Sequence, residues 1–253
     1  MTPRDRKHPK SVILYGTHPV TETIRAGKRT VRAVFLARDT TTCSELRAMV
    51  GEVGCQVSVV GPLELNRICG SPNHQGVAAE VDPYPYCTLE ELLAGEGGAT
   101  SCMVLLDQVQ DPFNLGSIVR SAECLGAAAI VLTKNNSCAV TAAVEKTSAG
   151  ATAHMRISRV VNMARAIKEI KRAGFWVYGM DSKAALDIYS SKLPHKVAFV
   201  VGGEGTGLRR LVREECDITV SIPMCGRVSS LNVSHAAAIA LSEFRKTFFK
   251  KKT

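Results

Sequence analysis

The sequence contains no run of eighteen or more apolar residues, so it offers no helix of the kind that spans a membrane. Its basic start, MTPRDRKHPK, leads into no apolar core segment and does not read as a secretory signal. None of the nine cysteines forms a CxxC pair, and their number is odd. Scattered in this way they suit small apolar residues in a reducing cytosol, not a disulfide framework or a zinc site, so no metal is expected. Glycine trios at i, i+2, i+5 are missing, as are a Walker loop and a GxSxG elbow, which weakens the common nucleotide folds and the serine hydrolases. There is no internal repeat. Aromatic residues make up only 5% of the chain, yet hydrophobic residues reach 45%, enough for packed cores and too many for a disordered chain.

What is present points to an α/β protein. The 253 residues suffice for one large domain or two modest ones. In the first part, apolar runs such as SVILY, VRAVFLA, QVSVV and GVAAEV alternate with the helical stretches HPVTETIRA (stopped by Gly27), SELRAMVGEV and LELNRIC, indicating a βαβ arrangement. The texture then changes. VDPYPYCTLEELLAGEGGATS is punctuated by Pro and Gly and has no Lys or Arg, so residues 83–100 read as a linker between a domain at 1–82 and one at 101–253. Alternation resumes with CMVLLD, AAIVLT, FWVYGMD, VAFVVGG and ITVSIP between helical segments, among them VTAAVEKTSAGATA and NVSHAAAIALSEFRK. This predicts a mostly parallel sheet with helices on its faces.

The net charge is +9, with the excess at the two ends: residues 1–40 carry nine Lys or Arg against three Asp or Glu, and the tail RKTFFKKKT adds five basic residues. Solvated termini explain this as well as a footprint for a polyanion does, and charge alone does not separate RNA from DNA or anionic lipid.

Three segments follow apolar strands: NLGSIVR (114–120), GGEGTG (202–207) and IPMCGRVSSLNVS (222–234). Parallel sheets collect ligands outside the carboxyl ends of their strands, so convergence of the three on one site is expected. Asn114 and Asn232 each suit a helix N-cap. A lone Arg120 would by default form a surface salt bridge.

The set resembles the SpoU-type ribose methyltransferases of the SPOUT superfamily over residues 102 to 245. Those enzymes carry an N-x-G-x-x-x-R turn, a GxEGxG loop and an IPM…SLNVS segment in this order. LYGTHPV (14–20) and NHQGV (73–77) resemble the ribosomal-protein-like substrate domain of bacterial enzymes that methylate a guanosine ribose of 23S rRNA. The resemblance implies a deep trefoil knot holding S-adenosylmethionine at Gly202, Gly203, Ile222, Met224 and Leu231. It implies Arg120 nearest the ribose hydroxyl, Asn114 and Asn232 orienting Arg120, the ribose or the donor, Ser230 hydrogen-bonded in the same cluster, and Glu204 near positive charge from Arg or sulfonium. It also implies RNA contacts from the first domain, for which Arg25, Lys28, Arg29, Arg32, His74 and Gln75 are the candidates, and a homodimer formed through the second domain. The partner would be 23S rRNA or an assembling large ribosomal subunit, with no membrane. Readings left open at this point are a relative acting on tRNA or conferring ribosome-targeted resistance, a non-catalytic RNA-binding assembly factor of the same fold, and a nucleotide-dependent enzyme with an unusual glycine loop.

Overall fold

A computed structural model describes residues 11–38, 46, 48–51, 54–95 and 98–249. The chain forms two compact units, Met1–Pro85 and Tyr86–Thr253. In the first, strands β1 (Val12–Tyr15), β2 (Val31–Ala37), β3 (Gln56–Val60) and β4 (Val77–Val81) pair in the order β1-β4-β2-β3. Only β2 and β3 run parallel; β4 runs against both β1 and β2. The βαβ expectation therefore holds for one pair, and the last strand re-enters the sheet at its middle. Side chains alternate across this sheet. Leu14, Val34, Leu36, Val77, Ala79 and Val81 build one core, while Val60, Leu65 and Ala78 build another. The helix Thr17–Ala26 ends where Gly27 takes φ 61°, as the sequence suggested. In the predicted helix at 44–53, Leu46 and residues 48–51 are helical and the others lie outside the described residues.

Arg32 ties the start of β2 to the end of β4. Its Nε and Nη2 donate to Asp82 Oδ1 at 3.1 and 2.7 Å. Arg29 donates to the backbone carbonyl of the same aspartate from Nε and Nη2, at 2.8 and 2.6 Å. The Arg32 hydrogen bonds, followed by one from the Thr30 side chain, hold the Asp82 carboxyl below its ordinary range.

The second unit carries a seven-stranded sheet in the order β7-β6-β5-β10-β8-β11-β9, parallel at every pairing. Its strands are β5 (Ser101–Asp107), β6 (Ala129–Thr133), β7 (Ile157–Val160), β8 (Trp176–Met180), β9 (Leu186–Asp187), β10 (Lys196–Gly202) and β11 (Ile218–Ser221). β5 is buried along its whole length, which is why it reads as a continuous apolar run and not as an alternation. The chain builds outward through β6 and β7 and then switches sides, and β10 is inserted between β5 and β8. The order reverses at that point, so the crevice opens there.

Two sequence expectations change. The stretch 83–100 is not simply a linker. Thr88 and Glu91 form a capping box on the helix Leu89–Ala94, and Leu89 and Leu92 belong to the core of the second unit, with Met103 and Val200. Six residues are too few to show a period, and the T-x-x-E pattern was the available signal. VTAAVEKTSAGATA is not one helix either. It breaks after Ala142–Thr147, because Ala149 and Gly150 take φ 52° and 85°, and resumes as a 3₁₀ turn at Ala151–Ala153.

The end of β10 is tightly folded. Gly202 pairs with Asp107, and residues 203–207 fold straight back, with Gly207 N donating to Gly203 O at 3.1 Å. A β-carbon on Gly202 would lie 2.0 Å from the Gly207 carbonyl carbon, and one on Gly203 would lie 2.4 Å from the Gln108 carbonyl oxygen. Past the turn, Arg209 grips the buried Asp107 carboxylate: its backbone N donates to Oδ2 at 3.1 Å and its Nε to Oδ1 at 2.9 Å.

Two measurements check this account. Gly202→Ala forces backbone apart from backbone, so a loss of about 2 kcal/mol or more in unfolding free energy is expected; an unchanged denaturation midpoint would show that the turn yields freely. The Asp82 carboxyl is lowered in the folded state, so its stabilising effect is full above the unfolded value near pH ~4 and disappears as pH falls through the folded value. Amide exchange in β2 is therefore expected to be faster in Arg32→Ala than in the wild type at about pH 6, with the difference gone near about pH 2.

Candidate active site

Three loops leave the carboxyl ends of the neighbouring strands β8, β10 and β11 and meet around one cavity of about 720 Å³, and the loop after β5 reaches them through side-chain hydrogen bonds. Asp111 starts the helix Pro112–Cys124, accepting from Phe113 N and Asn114 N at 3.2 Å each, with Pro112 in the first turn. The N-cap is therefore Asp111 and not Asn114, since Pro112 leaves no donor at its own position and Asp111 reaches the next two. Freed from capping, the buried Asn114 side chain does not line the cavity itself but meets Asn232 and Glu204, which do. Asn232 does cap its helix, Val233–Phe248, accepting at Oδ1 from Ser234 N at 2.8 Å and from Ser234 Oγ at 2.7 Å.

These side chains form a directed series. Ser234 donates to Asn232; Asn232 Nδ2 donates to Asn114 Oδ1 at 2.9 Å; Asn114 Nδ2 donates to Glu204 Oε1. Every donor points the same way, and the series ends on a carboxylate, so each amide orientation is fixed by its neighbours. The three sequence segments thus converge, and the amino ends of two long helices converge with them.

Gly202, Gly203, Glu204, Ile222, Met224, Ser230, Leu231 and Asn232 all line the cavity. Ser230 reaches it, but the hydroxyl that bonds to Asn232 is that of Ser234, two residues into the cap, where such a bond is geometrically natural. Glu204 was expected beside a positive charge; its protein partner is the neutral amide of Asn114. Gly202 and Gly203 face the cavity, yet their lack of a side chain is demanded by the protein's own backbone.

Arg120 is not among the cavity-lining residues. Six residues place it about 120° round the helix and about 9 Å along it from Asn114. It is exposed, on a stripe with Phe113, Ser117 and Cys124 at helical spacing.

The sequence reading missed a set of aspartates. Asp107, Asp111 and Asp181 close or follow the apolar strands CMVLLD and FWVYGMD, and this recurrence was the available signal. Asp181 lines the cavity and pairs with Arg213 at 2.9 Å. Among the described residues no three His, Cys, Asp or Glu side chains gather as a metal site.

In the first unit Arg25 pairs with Glu22 at 2.7 Å, Arg29 and Arg32 hold Asp82, and Lys28 is exposed. Gln75, at φ 55°, accepts from Thr17 N at 3.4 Å and stays exposed. His74 leaves the set of RNA candidates. It is 8% exposed, its Nε2 donates to Asn66 at 2.8 Å, and its Nδ1 accepts from Gly76 N at 2.9 Å. Both ring nitrogens are used in holding the turn.

A cavity of this size suits a nucleoside-sized ligand. Val201, Ile222, Met224 and Leu231 offer an apolar wall for a base, and carboxylates and backbone groups supply the polar contacts of a bent sulfonium nucleoside such as S-adenosylmethionine.

Comparison with known proteins agrees. Residues 101–242 match the SpoU rRNA Methylase family, and residues 13–87 match the RNA 2′-O ribose methyltransferase substrate binding family. The 23S rRNA (guanosine-2′-O-)-methyltransferase RlmB of Xylella fastidiosa is 42% identical over 193 residues, 75% of this chain and 77% of that protein. An uncharacterized tRNA/rRNA methyltransferase of Synechocystis is 35% identical over 247 residues, and the match spans 95% of this chain but 64% of that protein. The crystal structure of the SpoU methyltransferase AviRb from Streptomyces viridochromogenes, in complex with AdoMet, superposes with a TM-score of 0.81 at 25% identity, covering 94% of this chain and 90% of that one. The chain belongs to the SpoU rRNA methylase family and is an S-adenosylmethionine-dependent RNA ribose 2′-O-methyltransferase.

Proposed function

We propose that the substrate is a guanosine of 23S rRNA, met as free rRNA or in an assembling large subunit in the cytoplasm. The observation that supports transfer at this cavity is the Ser234–Asn232–Asn114–Glu204 series, which joins three loops beside it. The 42% identity to the Xylella enzyme and the presence of a substrate-binding unit support the choice of RNA.

Bound S-adenosylmethionine supplies a methyl carbon already activated by its sulfonium, so the protein's task is alignment and the handling of one proton. The ribose oxygen bonds to that carbon as the carbon–sulfur bond breaks, and S-adenosylhomocysteine leaves. Asn114 and Asn232, each held in one orientation, set the position of the ribose. Glu204 ends the series with negative charge on the donor's side. Ile222, Met224 and Leu231 hold the base of the donor, with Gly202 and Gly203 shaping the floor and Ser230 offering a hydroxyl at the rim. The converging helix amino ends favour the substrate phosphate. Arg120 remains a cation at any working pH. On the exposed stripe it grips the adjacent phosphate and favours the developing alkoxide, while the proton passes to phosphate or water. That stripe faces outward, and we place there the RNA surface that a homodimer of the second units shapes. The late insertion of β10 and the folded-back turn after it suit the trefoil knot of this superfamily. In the first unit Arg25, Lys28, Arg29, Arg32 and Gln75 meet structured RNA, mostly at phosphates and hence with steep salt dependence.

The test is transfer of labelled methyl groups to unmodified 23S rRNA, 16S rRNA and bulk tRNA, followed by alkaline hydrolysis, which leaves a 2′-O-methylated position uncut. Label in an alkali-resistant dinucleotide from 23S rRNA alone is expected; label in tRNA alone would overturn the substrate. Arg120→Ala is expected to lower turnover by about a hundredfold or more while donor binding stays within about twofold. Wild-type turnover by this variant would remove Arg120 from the mechanism.

A further inference from the structure

Asp181 has no part in the mechanism above, yet it stands in the wall of the same cavity. It follows β8 directly, and its main chain is fixed on both sides: Asp181 N donates to Val220 O at 2.9 Å, and Ala184 N donates to Asp181 O at 3.0 Å. Its carboxylate is fixed as well. Oδ1 accepts from Lys183 N at 2.9 Å, and Oδ2 is paired with Arg213 Nη1 at 2.9 Å. The side chain is only 16% exposed. An ionised carboxyl accepts about four hydrogen bonds, two at each oxygen. One partner on each oxygen leaves one acceptor position on each, at a rigid spacing. A group that places two hydroxyl donors on neighbouring carbons matches that pair.

Position in the sheet says which part of the ligand lies there. The reacting end is marked by Asn114 after β5 and Glu204 after β10. The apolar wall for the base is marked by Ile222 after β11. β8 lies between β10 and β11, about 5 Å from each neighbour. In an adenosyl sulfonium the ribose is the piece between the sulfur and the base, and its 2′- and 3′-hydroxyls are adjacent donors. We propose that Asp181 accepts both hydroxyls of the donor's ribose and so fixes the adenosyl half of the ligand, with Arg213 and the Lys183 amide holding the carboxylate in place. This rests on the reading that S-adenosylmethionine fills this cavity.

The experiment is calorimetric titration, without RNA, of S-adenosylhomocysteine and its 2′-deoxyribose and 3′-deoxyribose forms. The proteins are the wild type, Asp181→Ala and, as the variant that keeps the side chain's shape, Asp181→Asn. The wild type is expected to bind the ribose form about tenfold or more tighter than either deoxy form, the size of a hydrogen bond to a charged acceptor. Asp181→Ala is expected to lose that factor on the ribose form and to bind all three ligands alike. Asp181→Asn is expected to lose part of the discrimination at an unchanged melting temperature. If Asp181 were only a strut for Arg213, the variants would weaken all three ligands by one factor and keep the wild-type discrimination, which would overturn the proposal. Equal binding of the three ligands by the wild type would overturn it too. Failure of the wild type to bind any of them would instead bring down the parent reading of the cavity.

Discussion

The second unit depends on one contact of backbone with backbone. At the end of β10 the chain turns so sharply that the Gly207 carbonyl occupies the space where residue 202 would carry a side chain. Everything at the site is referred to that contact. It places Glu204 opposite Asn114 and sets the floor of the cavity. It also delivers Arg209 to the buried Asp107 carboxylate, which closes the turn on its far side. The ion pair is buried at Asp107 and part-exposed at Arg209; it adds little stability by itself, but removing Arg209 would strand the aspartate's charge, so it fixes the path of the turn.

On that base the polar side chains behave as one device. Two asparagines are the right residues because each must accept on one side and donate on the other. An aspartate at either position would end the series early, and a leucine at 232 would leave the buried Ser234 hydroxyl without its acceptor. The network spans 118 residues of sequence between Asn114 and Asn232, and 90 between Asn114 and Glu204. Such a bond specifies how distant segments meet as much as it adds to their stability.

Much of this was legible beforehand because strand and helix carry different periods. The buried strands β5 and β10 read as unbroken apolar runs, Gly27 stopped its helix as expected, and Asn232 capped the last one. Roles that depend on distant partners were hidden. Asp111 took the cap expected of Asn114, because a proline after it favours that geometry and no local count reveals it. Ser234 took the hydrogen bond expected of Ser230. His74 proved to be a satisfied turn residue, since Asn66 lies eight residues away and its contact cannot be seen in a linear pattern. The helix at Leu89–Ala94 was lost inside an apparent linker because it is shorter than two turns.

The insertion of β10 between β5 and β8 bears on when the protein becomes competent. Gly202 pairs with Asp107, and the chain must close a loop of that span before the central strands meet. Loops of this length close slowly compared with neighbouring strands, because their entropy is spent before any contact rewards it. During synthesis β5 and β6 emerge early with a vacant edge, and the partner for that edge follows only after most of the unit has been made. Asn232 comes later still. Capacity to bind a ligand therefore waits on the synthesis of β10 and of the segment through Asn232, and β5 and β6 alone do not provide it.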